Sequence, residues 1–178
     1  TAVPVPLRAD ATADLAAMAA AVTPRTRCIF LCTPNNPTGT VVHHDEVVEL
    51  LAGIPGDVLV VIDEAYVEFV AEPRAVRSLE LFAAHENVAI LRTFSKAYGL
   101  AGLRVGFALA HHHTAGALRK AAIPFGVSSV AQAAAVASLA NEAELLDRVR
   151  LLCAERTRVL TGLRAAGWWV PEPQGNFV

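Results

Sequence analysis

Lysine is nearly missing from this 178-residue chain: Lys96 and Lys120 are the only two, whereas arginine is plentiful. With a formal net charge of -2 and no long run of one sign, the chain presents no basic field for nucleic acid or for an anionic membrane. No apolar run approaches the length that spans a bilayer, and the opening TAVPVPLRAD lacks the charged-then-apolar order of a secretion signal, so a cytoplasmic location is expected. Cysteine is scarce too. Three thiols cannot all pair internally, and Cys28 and Cys32 alternate along one apolar run, so buried, reduced thiols on one side of a strand are expected rather than a metal or redox pair. Internal repeats and low-complexity segments are also absent.

What the chain does have is apolar sequence, 54% of it, enough for a good-sized domain with a real core. Three short β-type runs, CIFLC (residues 28–32), VLVVI (58–62) and VAIL (88–91), show no polar alternation and predict strands buried on both faces. Between them lie a helix capped by Asp45 and reaching Ala52, and a short helix over residues 78–84. The rhythm of strand, helix and strand predicts an α/β fold with a mostly parallel sheet and flanking helices. Residues 2–7 predict an edge strand, followed by a helix from Asp10 or Thr12 to Val22. Residues 104–110 predict a further strand, 114–122 a helix, and Ser128 or Ser129 the start of another. A long helix then follows Asn141, with Leu145, Val149, Leu152, Val159 or Leu160, and Leu163 along one stripe. Gly167 ends it and residues 168–170 predict a new strand.

Ligands of open α/β sheets bind beyond the carboxyl ends of the strands. Each of the three runs ends there in a polar cluster: Asn36 after the first, Asp63 and Tyr66 after the second, and Thr93, Ser95 and Lys96 after the third. Taken singly, Asn36 reads as a turn residue, Asp63 equally as a helix cap, Tyr66 as a core-edge aromatic, and Thr93 and Ser95 as partners for local backbone. Arg104 alone reads as half of a surface ion pair. Their convergence on one end of the sheet is the stronger signal. Gly99, Gly102 and Gly106 do not have the spacing of a dinucleotide fingerprint. Lys120, beside Arg119 in a helix, reads as plain surface charge. His43 and His44, and the run 111–113, lie at loop or helix edges without a third ligand element, so they are read as solvent-exposed and no metal is expected.

The segments NNPTG (35–39), DEAY (63–66) and TFSKAYGLAGLRVGF (93–107) resemble, in order and separation, the fold-type-I aminotransferases that use pyridoxal 5'-phosphate. They are most similar to the histidinol-phosphate aminotransferase subfamily with its related aromatic amino acid aminotransferases, and IDEAYVEF and PFGVSSVAQAAAVASL lean toward the aromatic branch. The resemblance implies that Lys96 holds the cofactor as a Schiff base and carries a proton, and that Asp63 faces the ring nitrogen. It implies further that Tyr66 and Asn36 hydrogen-bond the phenolic oxygen, and that Arg104, Thr93 and Ser95 bind the phosphate. The lysine amine is expected to be partly desolvated to do this work.

The resemblance also implies small-molecule amino and keto acids as partners and a homodimer with sites at its interface. It divides the chain into a large cofactor-binding domain (1–140), a connecting helix (141–166) and the beginning of a small domain (167–178). Family members are about twice this length. The phosphate loop, the ring-stacking aromatic, the substrate-binding arginine and the neighbouring subunit's residues are therefore expected outside the chain, and the 178-residue segment alone is expected to be inactive. Asn176 falls where the small domain would begin, near a substrate. A decarboxylase of the same subfamily and a non-catalytic regulatory domain that senses the cofactor are the competing readings.

Overall fold

The apolar runs become three adjacent parallel strands in a computed structural model describing residues 1–178. Strand β1 (Cys28–Cys32) pairs with β2 (Leu59–Asp63), and β2 with β3 (Val88–Thr93). A fourth strand, β4 (Gly106–Ala110), closes the order β1-β2-β3-β4 and runs antiparallel to β3, with Thr93 opposite Gly106. A Cβ on Gly106 would lie 2.7 Å from the Arg92 carbonyl oxygen, so the close approach of the two strands needs glycine there.

Strand side chains alternate, and β2 and β3 are buried on both faces, with Val61 and Ala89 on one and Val60, Ile62, Val88 and Ile90 on the other. Ile29, Leu31, Val60, Ile62, Val88 and Ile90 are buried against Leu15 of helix α1 (Leu15–Ala20), Val47, Leu50 and Leu51 of α2 (His44–Gly53), and Leu81 of α3 (Ser78–Ala84). Fully burying each such side chain contributes roughly 1.5–3 kcal/mol. The opposite face carries Phe30, which is 70% exposed, between Cys28 and Cys32. This corrects the expectation of burial on both faces for β1. It also corrects the expected burial of the two thiols, which are free and half-buried; their partial burial still pushes both above the ordinary thiol range.

Local hydrogen bonds move several expected boundaries. Asp10 accepts from Thr12 N and Oγ1 at 3.0 and 2.6 Å in a turn, and Asp14 caps α1 instead, accepting from Ala17 N at 2.9 Å. Helix α2 starts from His43, whose N–H donates to Glu46 Oε2 at 2.9 Å; Asp45 sits in the first helical turn rather than at the cap. Residues 2–7 form no strand beyond one bridge, Leu7 to Ala13, and residues 168–170 form none. Neither segment finds a strand to pair with, and a strand is stable only as part of a sheet. Helix α4 (His112–Ala121) begins at His111, α5 (Ser129–Ala140) is capped by Ser128, and α6 (Glu142–Ala165) follows Asn141. No helix is long and apolar enough to cross a membrane.

Candidate functional site

The carboxyl ends of β1, β2 and β3 lie side by side, with Cys32 opposite Asp63 and Asp63 opposite Leu91. After β1 the chain turns through residues 33–40, tied by Asn35 N to the Thr40 carbonyl at 2.8 Å and Gly39 N to the Asn35 carbonyl at 2.7 Å. Gly39 has φ +76°, and a Cβ there would come within 3.0 Å of Pro173 Cα. This turn delivers Asn36, whose Nδ2 donates to Tyr66 Oη at 3.2 Å. Tyr66 is 4% exposed and leads into a short 3-10 turn, Val67–Phe69. Lys96 Nζ lies 5.0 Å from the centroid of the same ring. The sequence-predicted Asn36, Tyr66 and Lys96 therefore meet in space, although each leaves a different strand.

Asp63 ends β2, and its Oδ1 accepts from Ala65 N at 3.1 Å. After β3 the buried Phe94 anchors the loop: Phe94 N donates to the Val105 carbonyl at 3.1 Å, and Leu100 N donates to the Phe94 carbonyl at 2.9 Å. Phe94 packs with Val105, Ala131 and Ala135, so α5 holds this loop in place. The loop's return puts Arg104 in the left-handed region, φ 51°, which is why β4 begins at Gly106 and not at Arg104. Arg104 Nη1 donates to the Ala101 carbonyl at 2.7 Å and reaches Ser95 Oγ at 3.5 Å, while Ser95 N donates to Thr93 Oγ1 at 3.1 Å. Thr93, Ser95 and Arg104 thus form one hydroxyl and guanidinium group beside Lys96.

Three expectations need correction. Lys96 is exposed rather than partly desolvated, since it sits in the loop after β3, where its amine meets only the Tyr66 ring. His43 and His44 are half-buried, and His44 Nδ1 accepts from Arg77 N at 3.3 Å. His111 is half-buried too; it stacks on Phe82 at 4.2 Å, with Nε2 2.8 Å from the Phe82 carbonyl oxygen, whereas His112 and His113 are exposed. Asn176 is exposed.

The structure adds groups that sequence reasoning missed. Glu64, beside Asp63, is 2% exposed and meets Arg92 Nη2 at 2.6 Å; burial pushes its carboxyl upward against the pull of Arg92 and Ser78. Arg156 is buried in α6 and Phe177 packs edge-on against Tyr66. Arg156 was legible: it lies between Val149 and Leu160 on the apolar stripe of its helix, where a charge is out of place.

An amine, a carboxylate and a phenol and amide pair at the carboxyl ends of adjacent parallel strands are groups suited to a small, charged ligand. The chain belongs to the aminotransferase class I and II family, whose profile matches residues 1–178. It is 59% identical over 178 residues to an aromatic amino acid aminotransferase of Streptomyces avermitilis, covering 100% of this chain and 50% of that protein. An aromatic amino acid aminotransferase of Cutibacterium acnes is 57% identical over the same length, of which the chain covers 51%. The fold matches the crystal structure of histidinol-phosphate aminotransferase from Sinorhizobium meliloti in complex with pyridoxal 5'-phosphate: TM-score 0.88, 34% identity, 97% of this chain and 47% of that one. The chain spans about half the length of the curated relatives it matches.

The family is pyridoxal-phosphate dependent, and the side chains present fit that group. No hydrogen bond within the chain engages Lys96 Nζ, and Tyr66 Oη accepts from Asn36 while its own proton stays uncommitted. Only one oxygen of Asp63 is engaged, by a backbone N–H. An amine for a carbonyl, a carboxylate for a ring N–H, a phenol for an oxyanion and a guanidinium with hydroxyls for a phosphate are the donors and acceptors such a cofactor requires.

Proposed function

We propose that this chain is the cofactor-holding part of a pyridoxal-phosphate-dependent aminotransferase that moves an amino group between an aromatic amino acid and 2-oxoglutarate. The observation that carries the reading is the meeting of Asn36, Tyr66 and Lys96 around one ring, with the Tyr66 hydroxyl 3.2 Å from the Asn36 amide. The aromatic substrate class is supported by the names of the relatives at 59% and 57% identity.

When bound, pyridoxal phosphate supplies an electron sink that lets a proton leave and return at the carbon bearing the amino group. Lys96 Nζ would be the amine that holds the cofactor's carbonyl and would carry that proton. Asp63 would hold the ring nitrogen, where a carboxylate favours the protonated form. Tyr66 Oη and Asn36 Nδ2 would donate to the phenolic oxygen. Arg104, with Ser95 and Thr93, would grip the phosphate by charge-assisted bonds. Residues 1–140 form the large cofactor-binding domain, 141–166 the connecting helix and 167–178 the beginning of the small domain. The partners are small amino and keto acids and a second copy of the chain, in the cytoplasm.

The test is a half-reaction on the full-length, cofactor-loaded protein. Phenylalanine is expected to shift the cofactor's absorption band and yield its keto acid, and histidinol phosphate is not. A shift with histidinol phosphate alone would move the substrate to that branch, and release of carbon dioxide would make the protein a decarboxylase.

A further inference from the structure

The buried arginine of α6 has no role in the cofactor contacts above, yet it is tied to the one aromatic ring at their centre. Arg156 is 9% exposed and has no carboxylate partner. Its Nη1 donates to two backbone carbonyls at once, Phe69 at 3.0 Å and Gly175 at 2.7 Å. These two carbonyls belong to the two segments that flank Tyr66. Phe69 closes the 3-10 turn that Tyr66 opens, with Phe69 N donating to the Tyr66 carbonyl at 3.0 Å. Gly175 lies just before Phe177, whose ring meets that of Tyr66 edge to face, 5.3 Å between centroids at 85°. Gly175 is itself constrained, since a Cβ there would lie 2.9 Å from Phe177 Cε1, so the ring folds back over a position that only glycine leaves open.

A guanidinium taken out of water is costly, and an apolar residue would serve helix packing better at a stripe position beside Val149 and Leu160. What arginine supplies and leucine does not is a planar set of donors in fixed geometry. Here one of them, Nη1, fastens the 3-10 turn that follows Tyr66 to the C-terminal segment that carries Phe177. We infer that Arg156 is a positioning residue: by clamping the Phe69 and Gly175 carbonyls it seats Phe177 against Tyr66 and aims the Tyr66 hydroxyl at Asn36 and the cofactor's oxygen. The inference rests on the role given to Tyr66 under the proposed function. It also makes α6 and the C-terminal segment a mechanical input to the site.

The test compares the pH midpoint of the cofactor absorption band, a spectroscopic property of the resting protein, across variants of the full-length, cofactor-loaded protein. Tyr66→Phe sets the reference shift. Arg156→Met and Phe177→Leu are each expected to move the midpoint in that same direction by about half a pH unit, the size of a weakened hydrogen bond. Arg156→Lys, which keeps one charged donor, is expected to recover part of the shift. In a Tyr66→Phe background, Arg156→Met is expected to add nothing. Should Arg156→Met fail to fold by circular dichroism, Phe177→Leu decides alone. A reference shift with Tyr66→Phe, together with wild-type midpoints in folded Arg156→Met and Phe177→Leu, would overturn the positioning role while leaving the function standing. Additive shifts in the double variant would overturn it as well. No shift with Tyr66→Phe would remove the role of Tyr66 and this inference with it.

Discussion

Arg92 illustrates how much one side chain carries when its partner is buried. Glu64 is almost fully enclosed, and burial already raises its carboxyl above the ordinary 4.5 despite the guanidinium. Arg92→Met would leave that carboxyl buried and unpaired, a loss of about 3 kcal/mol in urea unfolding at neutral pH. A raised folded-state value means that stability is present below the unfolded value and lost as pH rises through the folded one. The defect is therefore expected to grow as pH rises above the ordinary carboxyl value, and a defect of constant size across the rise would contradict it. Tyr98 gives a second window. Burial, and then its 2.7 Å hydrogen bond to Glu142, push the phenol to about 12, from 10.0. The folded state keeps a proton that the unfolded chain loses, so stability should fall between pH 10 and 12, and Tyr98→Phe should flatten the curve there.

At the scale of elements, the strands and the long helices were legible because burial and period agree. The β-type runs of β1, β2 and β3 and the span of α6 fall where their patterns put them, within a residue or two, but Leu152 of the expected stripe is 48% exposed and Cys153 packs in its place. The segments that were misread have propensity without a partner: residues 2–7 and 168–170 alternate or cluster apolar groups, but nothing in the chain pairs with them. Helix α1 was misplaced because Asp10 and Asp14 are equally good caps in sequence, and only the turn at Ala11, φ 66°, assigns the cap to Asp14. The site was legible as a set of strand ends, since Asn36, Asp63, Tyr66 and Lys96 each follow an apolar run. What was not legible is contact between segments far apart, such as Arg156 with Phe69 and Gly175, or Glu64 with Arg92. One glycine tests the joint between β3 and β4. Gly106→Ala would force its Cβ into the Arg92 carbonyl and is expected to lose roughly 1–3 kcal/mol, while Gly102→Ala, which meets nothing, should cost well under half of that. Equal losses for the two would show that the strands do not pack as described.

For the molecule as a whole, β2 and β3 are buried on both faces, but β1 leaves Phe30 exposed on one of them, and Lys96 meets solvent beyond the end of β3. A site in contact with water cannot hold its charges in the low-dielectric surroundings that make them effective. The 178-residue chain alone is therefore expected to show no transamination, and measurable turnover by it would contradict this. Cofactor attachment, on which the proposed function depends, rests on Lys96. The most direct test is borohydride reduction of the full-length, cofactor-loaded protein followed by peptide mass analysis. The account predicts cofactor fixed covalently to the peptide carrying Lys96 and none fixed in Lys96→Ala; covalent cofactor in Lys96→Ala, or on any other lysine of the native protein, would contradict it.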